Sequence, residues 1–129
     1  MQDNKTLLQR LKARGRAADH LGRQAESAVA DILQRQGYKL LAERFKSGVG
    51  EIDLIVANKQ RLIFIEVKAR TNFAEASYAL LPRQQARLLK AADAALALHP
   101  EWSRPEIRFD VALVAQNDIQ MIENALWLR

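Results

Sequence analysis

The chain has 129 residues, no cysteine and a formal net charge of +5. That length suits one domain with a core of its own. The lack of cysteine excludes disulfides, thiolate metal sites and cysteine nucleophiles, and it fits a reducing cytosol. No apolar run reaches the ~18–20 residues that span a bilayer, and the N-terminus lacks the apolar centre of a signal peptide. A cytoplasmic protein with no membrane partner is expected.

The charge is unevenly placed. Lys5, Arg10, Lys12, Arg14, Arg16 and Arg23 face only Asp3 and Asp19 over the first 23 residues, and the rest of the chain is close to neutral. Residues 1–16 are expected to form a loose basic arm, with some helix around Leu7–Lys12, on a single domain covering 17–129. Such an arm suits a polyanion, nucleic acid first; a tail that only aids solubility is the plainer alternative.

In chain order, Leu21, Ala25, Ala28, Val29, Ile32 and Leu33 form an apolar stripe at helical spacing, predicting a helix from about Ala18 to Gln36 that stops at Gly37. "YKLLAERF" (38–45) reads as a strand, "KSGVG" (46–50) as a loop, and "IDLIVA" (52–57) and "LIFIEVKA" (62–69) as two strands joined by a turn at "NKQR". Residues 71–81 read as irregular. Pro82 opens a second helix to about Leu98. "IRFDVALVA" (107–115) is a fourth strand, and 119–127 a last strand or extended tail. The order α-β-β-β-α-β-β predicts an α/β fold, a central mixed sheet flanked by helices.

The second and third strands carry unusual charges. Alternation puts Phe64, Glu66 and Lys68 on one face of the third strand, and Glu51, Asp53 and Ile55 on one face of the second. Pairing through the 58–61 turn sets 57 near 62 and 53 near 66, which places Asp53 beside Glu66 and Lys68 beside Glu51. Two converging carboxylates repel unless a cation lies between them. Hard oxygen donors select Mg²⁺ or Mn²⁺, an ion that polarises phosphate oxygens, and a neighbouring lysine stabilises the developing charge. The alternative is a solvated edge-strand face with surface ion pairs worth ~0–1 kcal/mol. On the first helix, Glu26 borders the apolar stripe, either reaching towards the pair or snorkelling into water. Gly22 allows a close helix approach or is simply tolerated. Asp110 reads as structural, pairing Arg108 or a loop amide. His20, His99, Trp102 and Trp127 read as packing or surface residues.

Helix Glu26, "GEIDLI" with Asp53 and "FIEVKAR" with Glu66 and Lys68 together resemble the YraN family of small bacterial proteins, within the PD-(D/E)xK nuclease superfamily and similar to Holliday junction resolvases. The resemblance covers roughly residues 14–127. It implies a restriction-endonuclease-like core. It implies Asp53, Glu66, Lys68 and Glu26 as catalytic residues, with Asp53, Glu66, Glu26 and the Val67 carbonyl holding Mg²⁺ or Mn²⁺. Arg70, Arg44, Gln84, Arg83, Arg23, Arg16 and Arg14 are then the expected nucleic-acid contacts. Two positions depart from the family pattern: "AER" replaces N-x-R, so Ala42 stands for the asparagine, and Gln84 stands where a lysine is usual, with Arg83 and Arg87 as nearby replacement charges.

The expected function is metal-dependent hydrolysis of DNA phosphodiesters, DNA ahead of RNA and branched or structured DNA in particular, with a homodimer suited to cutting both strands of a symmetric junction. Two alternatives are a catalytically weak or inactive nucleic-acid-binding module on the same fold, and an interaction protein whose charged hairpin is only an edge.

Overall fold

The computed structural model describes residues 6–72, 82–116 and 118–125, with the side chains of residues 14, 15, 17–19, 83 and 84 outside that description. The expectations for residues 73–81 and for Trp127 therefore lie outside the described residues.

The elements follow the predicted order: α1 (Leu7–Arg35), β1 (Lys39–Ser47), β2 (Gly50–Ala57), β3 (Arg61–Arg70), α2 (Pro82–Leu98), a short 3₁₀ turn (Pro100–Trp102), β4 (Glu106–Ala115) and β5 (Asp118–Ile122). The strands form one five-stranded sheet in the order β1-β2-β3-β4-β5. All neighbours are antiparallel except β3 and β4, which run parallel from Arg61↔Glu106 to Arg70↔Ala115 across the α2 connection. The sheet is thus mixed, with a helix on each face.

The first helix begins eleven residues earlier than its apolar stripe predicts, at Leu7 rather than Ala18. Leu7, Leu8, Leu11 and Leu21 are exposed, so burial does not define this part. Good helix formers and a capping box do: Thr6 Oγ1 accepts from the Gln9 amide at 3.1 Å, and Gln9 Oε1 accepts from the Thr6 amide at 2.8 Å. At the other end Gly37 turns the chain with φ +95, a left-handed conformation that costs glycine little.

The β1–β2 loop is shorter than predicted, because pairing continues to Ser47↔Gly50. The β2–β3 turn is fixed by Asn58, whose Oδ1 accepts from the Gln60 and Arg61 amides at 2.9 and 2.7 Å, the usual way asparagine stands in for a backbone turn. The last strand stops at Ile122 rather than continuing towards 127.

Two apolar clusters cover the sheet. Ala25, Val29, Ala30 and Leu33 of α1 pack on Leu54, Val56, Ile63, Ile65, Ala112 and Val114. On the other face Ala91, Ala92 and Ala95 of α2 pack on Ile52, Ile55, Ala57, Leu62 and Phe64. The central strand β3 is covered on both sides, which explains its unbroken "LIFI" run.

One irregularity positions the site. Ile52 and Ile55 are three residues apart, yet both belong to the α2-side cluster, as do their β1 partners Phe45 and Ala42. The two-residue alternation therefore resets in both strands, at Glu43–Arg44 and at Asp53–Leu54, and Arg44 has φ +48. The strict alternation predicted through Glu51, Asp53 and Ile55 does not hold there, although the pairing register stays continuous from Glu43↔Leu54 to Phe45↔Ile52; the register shift of this ladder lies between Leu40 and Ala42.

Two glycines near this region have opposite demands. Gly50 has φ +154, and a Cβ there would lie 3.4 Å from both Ala91 Cβ and the Arg87 carbonyl oxygen. Gly50→Ala is expected to cost about 1–3 kcal/mol through backbone strain. A Cβ at Gly22 meets only Arg44 Nη2, at 4.0 Å, so Gly22→Ala is expected to stabilise by about 0.5–1 kcal/mol through helix propensity. Urea midpoints of the two variants, moving in opposite directions, are the check.

Candidate active site

The β2–β3 ladder is regular from Ala57↔Leu62 to Leu54↔Ile65. Beyond that pair the Asp53 side chain takes over: its Oδ2 accepts from the Val67 amide at 2.8 Å. This is the register read from the turn, and it sets Asp53 beside Glu66. Lys68 lies on the same strand as Glu66, with Nζ 3.0 Å from Glu66 Oε1 and only 13% and 16% of the two side chains exposed. Asp53, Glu66 and Lys68 open together into a cavity of ≈ 340 Å³, also lined by Gly50, Glu51, Arg87 and Leu88. Glu51 lines this cavity near Lys68 but makes its ion pair with Lys46, at 3.7 Å.

The electrostatics of the trio are unbalanced. Burial, and next the neighbouring Glu66 carboxylate, push the Asp53 carboxyl up to about 7, while the Val67 amide and the Lys68 ammonium pull the other way. Burial first, and the adjacent Glu66 carboxylate second, thus outweigh the single ammonium and raise the proton affinity of Asp53.

The helix carboxylate is held differently. Glu26 Oε2 accepts from Arg44 Nε at 3.0 Å, on the α1 side of the sheet. Burial pushes the Glu26 carboxyl up, Arg44 pulls it down, and the negative charge of Asp53 pushes it up again, so Glu26 and Asp53 lie within electrostatic reach. Among the described residues no three His, Cys, Asp or Glu side chains converge as a ligand group; the structure brings together Asp53 and Glu66, and turns Glu26 towards Arg44.

The other predicted residues are spread around this centre. Arg23 lines an α1-side cavity with Glu26 and Arg44. Arg70 is exposed at the end of β3, its Nη1 donating to the Ala69 carbonyl at 2.7 Å. Arg16 is exposed on α1. The Arg14, Arg83 and Gln84 side chains lie outside the described residues. Arg87, one helical turn beyond Arg83, lines the Asp53–Glu66–Lys68 cavity. Ser27 and Glu43, which sequence reasoning passed over, line the α1-side cavity; their only signal was chain adjacency to Glu26 and Arg44. Asp110 is structural: Arg108 donates to it twice, at 2.9 and 2.8 Å, and the Asn124 amide once, at 2.9 Å. His99 stacks on Trp102 at 3.9 Å between ring centroids, with Phe45 edge-on to both, which is packing rather than ligation.

Fold and site together define a mixed α/β protein with a carboxylate pair and a lysine at the splayed end of its β2–β3 hairpin. The chain belongs to the uncharacterised protein family UPF0102, whose family model matches residues 25–114. That span includes Glu26, Asp53, Glu66 and Lys68. A UPF0102 protein of Rhodopseudomonas palustris (strain ATCC BAA-98 / CGA009) is 50% identical over 101 residues, 78% of each chain. One from Acidiphilium cryptum (strain JF-5) is 44% identical over 117 residues, 91% of each chain. One from Bradyrhizobium sp. (strain BTAi1 / ATCC BAA-1182) is 45% identical over 103 residues, 80% of this chain and 76% of the relative. Among the described residues no helix is long and apolar enough to cross a membrane.

Proposed function

We propose that this protein is a divalent-cation-dependent nuclease of the PD-(D/E)xK type, with a restriction-endonuclease-like core, that binds and hydrolyses DNA phosphodiesters, branched DNA in particular. The observation that carries the reading is the Asp53–Glu66 pair. Two carboxylates held side by side, one of them with its proton affinity raised by burial and by the other, form a hard-oxygen site lacking positive charge. Mg²⁺ or Mn²⁺ fits that donor set, with Asp53 and Glu66 holding it, and the Val67 carbonyl and Glu26 as further candidate donors.

When bound there, such an ion supplies Lewis-acid polarisation of a phosphate oxygen. The chain's own residues do the rest. The Val67 amide fixes the Asp53 carboxylate in one orientation. Glu66 holds the Lys68 ammonium in place, so that a charge-assisted donor faces the reacting phosphate. Hydrolysis adds water across one P–O bond, and the leaving oxygen ends protonated. Arg87 at the rim, with exposed Arg70 and Arg16, offers contacts to flanking phosphates; these give affinity and salt dependence rather than sequence preference.

The test is cleavage of linear, single-stranded and four-way-junction DNA, and of RNA, with Mg²⁺ or Mn²⁺ present. Junction cleavage is expected, falling at least about 10²–10³-fold in Lys68→Ala and disappearing in Asp53→Ala, while circular dichroism keeps its wild-type form. No cleavage of any substrate by the wild type overturns the enzymatic reading. Salt-sensitive DNA binding that survives Asp53→Ala without cleavage replaces it with a binding module on the same fold.

A further inference from the structure

The α1 face of the site has a cavity of its own, ≈ 350 Å³, lined by Arg23, Glu26, Ser27, Glu43 and Arg44. It lies where β1 and β2 lose their alternation. Arg44 sits at that point, across from Asp53 in a register flanked by Glu43↔Leu54 and Phe45↔Ile52. Its φ of +48 is one that a bulky non-glycine residue keeps only when its surroundings hold it there. The bond to Glu26 contributes to that hold; the Glu26 side chain is 14% exposed against 35% for Arg44. The carboxylate is the buried partner and the guanidinium the reachable one.

The charges around Asp53 give this pair a further role. Asp53 lies beside Glu66, and its charge also reaches Glu26 from the other side. Lys68 answers one of them and Arg44 another. A phosphate entering the α1-side cavity competes for the same guanidinium with a planar, bidentate acceptor. Once Arg44 turns to it, Glu26 loses the 3.0 Å bond that holds it on the α1 side, next to the Asp53–Glu66 pair.

We propose that Arg44 is an exchangeable counter-ion coupling the two ligands of the site: in the free protein it holds Glu26 away from the Asp53–Glu66 pair, and a nucleic-acid phosphate that captures Arg44 releases Glu26 to join that pair. The inference rests on the reading above, that Asp53 and Glu66 take a divalent cation. Arg44 acts here as a positioning residue, through Glu26. The coupling is reciprocal: whatever factor a bound phosphate adds to cation affinity, a bound cation adds to phosphate affinity. Cation held without nucleic acid is then weak, and the site assembles fully only on substrate.

The test is a Mn²⁺ titration of the full chain followed by electron paramagnetic resonance of the free ion, with no nucleic acid present. Arg44→Gln is expected to raise Mn²⁺ affinity at least about fivefold, the lower end of coupling between two sites. The gain should vanish in a Glu26→Gln background, and Arg44→Lys, which keeps the charge, should stay near wild type. Inorganic sulfate, as the phosphate probe, should raise Mn²⁺ affinity in the wild type and not in Arg44→Gln. An unchanged or lowered affinity in Arg44→Gln, or a gain that persists without Glu26, overturns the proposal. The parent reading is separated by Asp53→Asn: Mn²⁺ binding lost in that variant but indifferent to Arg44 sinks only the coupling, whereas no Mn²⁺ binding by the wild type sinks both.

Discussion

Replacing Asp53 by asparagine is expected to make the metal-free protein more stable above neutral pH while abolishing cation binding. The folded-state carboxyl is raised from an ordinary 3.8 to about 7 by burial and by Glu66. A raised folded value means that its contribution to stability is fully present below the unfolded value and is lost as pH climbs to the folded one. The metal-free wild type should therefore lose stability between about pH 4 and pH 7 from this group. At ~1.4 kcal/mol per unit, tempered by the charge shared with Glu66 and Lys68, the loss comes to about 2–4 kcal/mol. The asparagine side chain keeps an acceptor for the Val67 amide and carries no charge, so the Asp53→Asn variant should lack this fall. Urea unfolding at pH 5 and pH 8 in chelator checks it: the variant should gain on the wild type as pH rises. Added Mg²⁺ should then stabilise the wild type by mass action and leave Asp53→Asn unmoved. A wild type whose stability runs parallel to the variant's across this range would show that Asp53 is already neutralised by its neighbours.

The second large effect is expected at the other buried aspartate. Asp110 is 2% exposed, and three donors meet its carboxylate: two from Arg108 and the Asn124 amide. Arg108 is itself only 13% exposed, and Glu123 approaches it no closer than 3.4 Å. Asp110→Ala leaves a largely buried guanidinium without its main partner and an amide without an acceptor, which should cost about 3–5 kcal/mol. Against a total of roughly 5–15 kcal/mol for a domain, that is a large share. Asp110→Asn should cost less, because one amide oxygen can still accept. The midpoint of urea unfolding should fall with little change in slope; a loss below about 1 kcal/mol would mean that Glu123 takes over the pairing. The two aspartates thus separate by satisfaction. Asp110 has its donors and ties the middle of β4 to the segment after β5. Asp53 accepts from the Val67 amide, and burial beside Glu66 leaves its carboxyl raised to about 7 despite Lys68.

The hairpin is legible in the sequence because its information is local. "NKQR" sets the turn, the turn sets the register, and the register brings Asp53 to Glu66 without reference to the rest of the chain. The apolar stripe of α1 and Pro82 of α2 are readable for the same reason. What lies hidden depends on contacts distant in sequence. The Glu26–Arg44 bond joins residues 18 apart on a helix and a strand. The reset of alternation at Arg44 and Asp53 leaves no mark on composition, since neither strand carries a glycine or proline there. The start of α1 is misplaced because a periodicity argument looks for burial, and its N-terminal turns are exposed and specified by helix propensity and the Thr6 box.

The parallel pairing of β3 with β4 carries a consequence for the order of assembly. β1, β2 and β3 form a meander whose pairings each close over a short loop, whereas Arg61 meets Glu106 only after the whole α2 crossover has folded back. Loop closure and topology make the first kind fast and the second slow. Asp53 and Glu66 should therefore come together early, while still open to water, and become buried only when α2 docks on Gly50 and brings Arg87 over them. Mutations in the α2 contact, such as Ala95→Gly, should then act mainly on the unfolding rate, and the acidic hairpin should be the part of the site already present in the folding transition state.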